Sequence, residues 1–199
     1  MTYISNILFW ISTGLLVPVI VILIFLFLRS LLLAGGFFGE YIAMRRVRRS
    51  LELGLRGGGV DFETLVGELP SEAPQDIGSY VARIVDAGGD EAETNKALAD
   101  FEALTASRLF LPNMLSKLGP TIGLMGTLIP MGPALVGLST GDIASMAYNM
   151  QVAFATTVVG LCSAMIGYII LNIRRRWYTR QMSQLEYVAD LMAEKGGVK

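Results

Sequence analysis

Leu118 to Asn172 contains a single charged residue, Asp142, which separates two long uncharged segments, LGPTIGLMGTLIPMGPALVGL and IASMAYNMQVAFATTVVGLCSAMIGYIILN. Roughly 20 apolar residues at 1.5 Å rise cover the hydrocarbon core of a bilayer, so each segment is long enough to cross one. Tyr3 to Leu28 is also free of charge. That stretch is too long for the core of a signal peptide and no basic region precedes it, so it is expected to remain as a first membrane helix. In 199 residues with 53% hydrophobic content, three spans leave room for one modest soluble segment. The expected fold is an all-α membrane protein. Its helices cross at 3–33, 114–138 and 146–173, with a cytoplasmic helical segment at 34–113, a short outer loop at 139–145 and a cytoplasmic helical tail at 174–199.

Charge placement gives the orientation. Arg45, Arg46, Arg48 and Arg49 follow the first span, and Arg174, Arg175, Arg176 and Arg180 follow the third. Positive charge close to a span marks the cytoplasmic side, which puts the N-terminus outside and the C-terminus inside. The loop between the second and third spans carries Asp142 and no Lys or Arg. The arginine clusters also suit anionic lipid headgroups, and the two roles are compatible. Tyr3 and Trp10 fit the headgroup level at the start of the first span. Arg29 can snorkel from its inner end. Pro18, in the middle, introduces a kink that neighbouring helices must accommodate.

The segment between the first and second spans has the composition of a soluble region. Gly57-Gly58-Gly59 and Leu69-Pro70-Ser71 interrupt it. Short helices are expected over Asp61–Leu69, with Asp61 as N-cap, and over Ile77–Val85, ending before Gly88-Gly89. From Asp90 to Phe110 the acidic start and the spacing of Leu98, Phe101, Leu104 and Leu109 predict a longer helix that runs on into the second span, with a kink near Pro112. After Arg180 the spacing of Leu185, Val188, Leu191 and Met192 predicts an amphipathic extension of the third span. That extension has two candidate partners, the loop helices or a neighbouring copy.

Several function classes lose their chemistry. The chain has no histidine, which removes His-based triads, His metal sites and a histidine pH switch. Its lone cysteine, Cys162, lies in the third span and reads as a small packing residue. A formal net charge of −1 gives no basic balance to suggest nucleic acid. No phosphate loop, metal set or cofactor motif is present, and no catalytic set emerges. All 17 acidic residues lie outside the three expected spans. A proton path needs a titratable group or a continuous water wire near the midplane, so either this chain conducts nothing or a partner supplies the carboxylate.

The second and third spans are rich in small and hydroxyl residues, which let helix backbones approach closely and can hydrogen-bond across the contact. Helical spacing puts Asn149, Ala153, Thr157, Gly160, Ala164 and Gly167 on roughly one face. That face is either a polar lumen surface or a tight helix–helix seam, in which each Thr bonds its own backbone. Two patterns here go beyond small-residue content. Gly119-Pro120-x-x-Gly123-Leu124-Met125-Gly126-Thr127 resembles the second-span motif of the MotA/TolQ/ExbB proton-channel family, usually close to A-P-x-L-G-L-L-G-T. Ala153-x-x-x-Thr157-x-x-Gly160-Leu161 resembles that family's third-span A-x-x-x-T-x-x-G-L.

The three-span layout is most similar to the ExbB and TolQ members. The resemblance implies a homopentameric ring around a single-span ExbD/TolR/MotB-like partner bearing an intramembrane Asp. It implies that Thr127 and Thr157 line the path beside that Asp, with Ala153 and Gly160 on the same surface and Asn149 extending it outward. Pro120, Gly123, Gly126, Ala164 and Gly167 would serve helix packing. The implied function is conversion of a transmembrane ion gradient into movement of the partner; the alternative is a non-conducting oligomeric scaffold. Two features depart from the ExbB and TolQ pattern. Val152 stands where those members usually carry Glu, and Pro130 and Pro133 replace a V-W-G-I-M-like stretch.

Overall fold

The computed structural model describes the backbone of residues 2–55 and 76–196, with side chains at all of these except 2, 5, 6, 42–55, 76, 195 and 196. Every element among them is helical: α1 (Thr2–Gly14), α2 (Leu16–Leu55), α3 (Asp76–Asp86), α4 (Glu91–Thr140) and α5 (Ile143–Gly196). The expected helix at 61–69 with its Asp61 cap, both flanking breaker sequences and the side chains of Arg45, Arg46, Arg48 and Arg49 lie outside the described residues. Three stretches, Ile7–Tyr41, Glu91–Thr140 and Ile143–Glu194, are long and apolar enough to cross a membrane. Their most apolar windows are only 17%, 33% and 33% buried within the chain. Apolar surface of that extent needs lipid or other chains to cover it.

Proline chemistry accounts for the break between α1 and α2. Pro18 has no N–H for the Gly14 carbonyl and its ring crowds that carbonyl, and α1 stops at Gly14. Leu15 bridges the gap by donating to both Ile11 and Ser12 carbonyls at 3.1 Å, and α2 resumes at once. Four prolines inside α4, at 112, 120, 130 and 133, do not interrupt it.

The chain divides into two compact units. The first comprises residues 1–34 and 111–171, and so holds α1, the start of α2, the second half of α4 and the first half of α5. Here α4 and α5 run antiparallel, joined by a tight turn. Gly141 takes the left-handed conformation the turn requires (φ 76°), and Asp142 caps α5 through a 3.0 Å bond from the Ser145 N–H to Oδ1. The α4–α5 contact is made at glycines. A Cβ at Gly119 would lie 2.7 Å from the Gly160 carbonyl, one at Gly160 2.6 Å from the Gly119 carbonyl, and one at Gly126 2.6 Å from Thr156 Cβ. The backbones therefore meet as closely as glycine permits. On α2 the buried stripe is Val19, Leu23, Leu26 and Ser30, at helical spacing.

The second unit comprises residues 35–110 and 172–199. Its core is Ile84 of α3, Ala97 and Phe101 of α4 and Leu185 of α5, with Ile77, Tyr80, Val81, Leu98, Met182, Val188, Ala189 and Met192 around them. Of the two partners open to the amphipathic tail, the structure selects the loop helices of the same chain. Gly88 and Gly89, both at positive φ, turn the chain from α3 into α4, and Asp90 caps α4 through its Oδ1 and the Ala92 N–H at 2.9 Å. Arg83 and Asp100 form a 3.1 Å ion pair, but both are more than 40% exposed, so it adds little.

A second polar contact in this unit is far less exposed. Arg174 of α5 donates Nη2 and Nε to Glu40 Oε2 of α2 at 2.6 and 3.0 Å, with the two side chains only 14% and 16% exposed. Its Nη1 reaches the Arg108 carbonyl at 3.4 Å. That carbonyl stands four residues before Pro112, which has no N–H to offer it, so the guanidinium replaces a missing helical donor. Phe37 and Tyr41 of α2 stack on Trp177 beside the pair, with centroids 5.6 and 6.0 Å away. Tyr178 is buried nearby, and burial pushes its hydroxyl pKa up. Arg108 lies close enough to oppose that shift without closing a well-aligned hydrogen bond to the hydroxyl oxygen.

Candidate functional site

The motif residues assemble on the α4–α5 contact. Gly119, Gly123 and Gly126 of α4 face Gly160, Ala164 and Thr156 of α5, while Gly167 packs on Leu115 and Pro112. Ala153 is buried on the same face of α5. The small-residue face of the third span is thus a seam within the chain, and Ala153 and Gly160 have no open side there. Two adjacent threonines divide the work. Thr156 is buried against Gly126, its hydroxyl donating to the Ala153 carbonyl at 2.9 Å. Thr157 is half-buried at the rim of the seam and donates to the same carbonyl at 3.3 Å.

Thr127 is likewise half-buried at a rim, with its hydroxyl 2.7 Å from the Leu124 carbonyl. At about 100° per residue, Thr127 and Thr157 each lie about 70° round from the centre of their helix's buried stripe, in the same rotational sense. Because the helices are antiparallel, the same sense on both brings the two threonines to one edge of the seam. They stand at nearby levels, since Gly123 and Gly126 contact residues 156–160. Burial around the seam is lopsided. On the opposite edge Leu115, Ser163 and Ile170 are 0%, 1% and 3% exposed, whereas beyond Thr127 and Thr157 the neighbours Leu124 and Leu161 are more than half exposed. One edge of the α4–α5 pair is covered within the unit and the threonine edge is open.

Each rim hydroxyl uses its proton on its own helix and keeps an oxygen lone pair free to accept; rotation about the Cβ–Oγ bond can turn the proton outward and exchange acceptor for donor. Asn149 sits further out, its Nδ2 donating to the Ser145 carbonyl at 2.9 Å. Pro120 is half-buried on the threonine edge, and Val152 is half-buried on α5. Among the described residues no acidic side chain lies between Leu111 and Thr140 or between Ile143 and Asn172. Arg175 and Arg176 are exposed, whereas Arg174 is committed to Glu40. Sequence reasoning credited Arg174 with charge alone and passed over Glu40. The available signal was a lone carboxylate just past an apolar span and a helix proline four residues after Arg108.

A sequence model of the MotA/TolQ/ExbB proton channel family matches residues 82–187, from the end of α3 through both motif helices into the tail of α5. The chain belongs to the MotA/TolQ/ExbB proton channel family. No curated protein matches it at a significant level. Membership in the MotA/TolQ/ExbB family, together with three helices of spanning length, makes this a multi-pass membrane protein of a channel and transporter type. The matched region contains the seam, the open threonine edge and the core of the second unit, while α1 and α2 lie outside it.

Proposed function

We propose that this chain forms a homopentameric ring in which the open edges bearing Thr127 and Thr157 face a central single-span partner with an intramembrane Asp, and that the assembly couples a transmembrane proton gradient to movement of that partner. The observation that carries this reading is the pairing of two threonines on an edge of the motif helices that the described residues leave uncovered. A carboxylate in the bilayer is costly unless it is paired or hydrated, and hydroxyls supply hydrogen bonds without adding a second charge. Protonation of the partner's Asp removes its need for that lining, so a proton passing on and off changes where the partner rests most favourably. Asn149 extends the polar edge outward. Ala153, Gly160, Gly123, Gly126, Ala164 and Gly167 act from behind, by fixing α4 against α5 so that both hydroxyls are held at one edge. The first span, with the least buried window, faces lipid.

Native mass spectrometry of the chain extracted in mild detergent should give five copies. A clean monomer or dimer under gentle extraction would count against the ring. The orientation places the N-terminus outside and the arginine-flanked ends of the first and third spans on the cytoplasmic side of a cytoplasmic membrane. In a Cys162→Ala background, Ser139→Cys and Ser183→Cys should therefore label from opposite faces of sealed cells. Labelling of both from the same face would refute the three-span arrangement.

A further inference from the structure

We propose that Arg175, Arg176 and Arg180 form a binding site for the phosphate of an anionic phospholipid, built on α5 at the end of the third span. With Asn172 and Thr179 they line a cleft of about 390 Å³, and no carboxylate lines it. The five residues follow the spacing i, i+3, i+4, i+7 and i+8, which keeps them on one face of the helix. All three arginines are exposed, and among the described residues none of them forms an ion pair. The adjacent Arg174 is turned away to Glu40. Arg175 also borders a second cleft with Glu102 and Glu186 but pairs with neither.

An orientation signal accounts for less than this. Charge that fixes topology is counted near a span and is indifferent to the helix face it takes. Here Arg176 and Arg180 are like charges at i and i+4, which repel along the helix surface, and no side chain of the cleft relieves them. A phosphate supplies what is missing. Its oxygens accept paired N–H bonds from planar guanidinium forks, and its negative charge offsets the repulsion between them. Position selects a lipid as the source of that phosphate. The uncharged run of the third span ends just past Asn172, so the cleft opens at headgroup level. The exposed apolar residues Met165 and Ile169 precede Asn172 at helical spacing and give acyl chains a surface on the same helix. A soluble phosphate has no use for that surface.

The site belongs to each copy of the chain and stands apart from the ring-channel reading. Its test uses the full chain in a mild non-ionic detergent, whose micelle carries no charge of its own, stripped of lipid and given phosphatidylglycerol or phosphatidylcholine. Native mass spectrometry counts the lipid retained. The parent should hold phosphatidylglycerol at least about tenfold better than phosphatidylcholine, as charge-assisted paired bonds require. Arg175→Gln, Arg176→Gln and Arg180→Gln together should remove that preference. Arg175→Lys, Arg176→Lys and Arg180→Lys together keep the orientation charge but lose the planar forks, and should weaken retention at least about threefold. Arg29→Gln with Lys117→Gln, which removes two exposed charges elsewhere, should match the parent. Glycerol 3-phosphate in large excess should leave the lipid in place. Parent-like retention in either triple variant, an equal loss in the Arg29 and Lys117 control, or displacement by glycerol 3-phosphate would overturn the site.

Discussion

Arg174→Ala should destabilise the protein by about 3 kcal/mol, the lower end of what removing one partner of a buried ion pair costs. The lower end applies because Glu40 and Arg174 keep 16% and 14% exposure. The substitution leaves the Glu40 carboxylate among Phe37, Tyr41 and Trp177 without its cation, and it strips the Arg108 carbonyl of the guanidinium that stands in for the Pro112 N–H. A denaturant titration of the purified chain in detergent measures this. The paired change Glu40→Leu with Arg174→Met should cost much less, because neither charge is then left buried alone. The non-additivity of the double-mutant cycle isolates the pair. If Arg174→Ala unfolds with the parent, the contact contributes nothing and α2 is held by its aromatic packing alone.

Much of the architecture was legible because periodicity and punctuation act locally. Uncharged length announced three membrane-length helices, Gly88-Gly89 announced the turn before α4, and glycines at three- and four-residue spacing announced a close helix contact. What the sequence left open were choices between neighbours and between distant partners. Thr156 and Thr157 are chemically identical and about 100° apart on the helix; only the rotation of α5 against Gly126 decides that the first packs and the second faces outward. The same rotation resolves the small-residue face into a seam, which withdraws Ala153 and Gly160 from any surface in the single chain while leaving Thr157 at its rim. Glu40 and Arg174 are 134 positions apart, and their pairing depends on how α2 lies on α5, which no pattern within either helix encodes. The tail was open for a related reason: an amphipathic stripe states that a partner exists and not which one.

The threonine edge carries the functional account, and substitution there should separate hydrogen bonding from packing. A hydrogen bond to a charged group is worth about 1.5–3 kcal/mol, which is on the order of one to two pKa units for a carboxylate at about 1.36 kcal/mol per unit. Removing one such bond from the partner's Asp should therefore slow gradient-driven turnover by about 10- to 100-fold. Thr127→Val and Thr157→Val keep the shape and delete the hydroxyl; Thr127→Ser and Thr157→Ser keep the hydroxyl and delete a methyl group. Thr156 supplies the internal contrast. Its methyl and hydroxyl crowd Gly126 inside the seam, so there Val should be the mild change and Ser the harmful one. Thr140, whose hydroxyl donates to the Val136 carbonyl in the outer turn, should tolerate Val. The decisive measurement is proton flux through vesicles containing the chain and its Asp-bearing partner. Val at 127 or 157 should abolish most of the flux, with Ser close to the parent and five-fold assembly unchanged. Val variants that conduct like the parent would make both residues packing threonines and would contradict the assignment of this edge as the ion path.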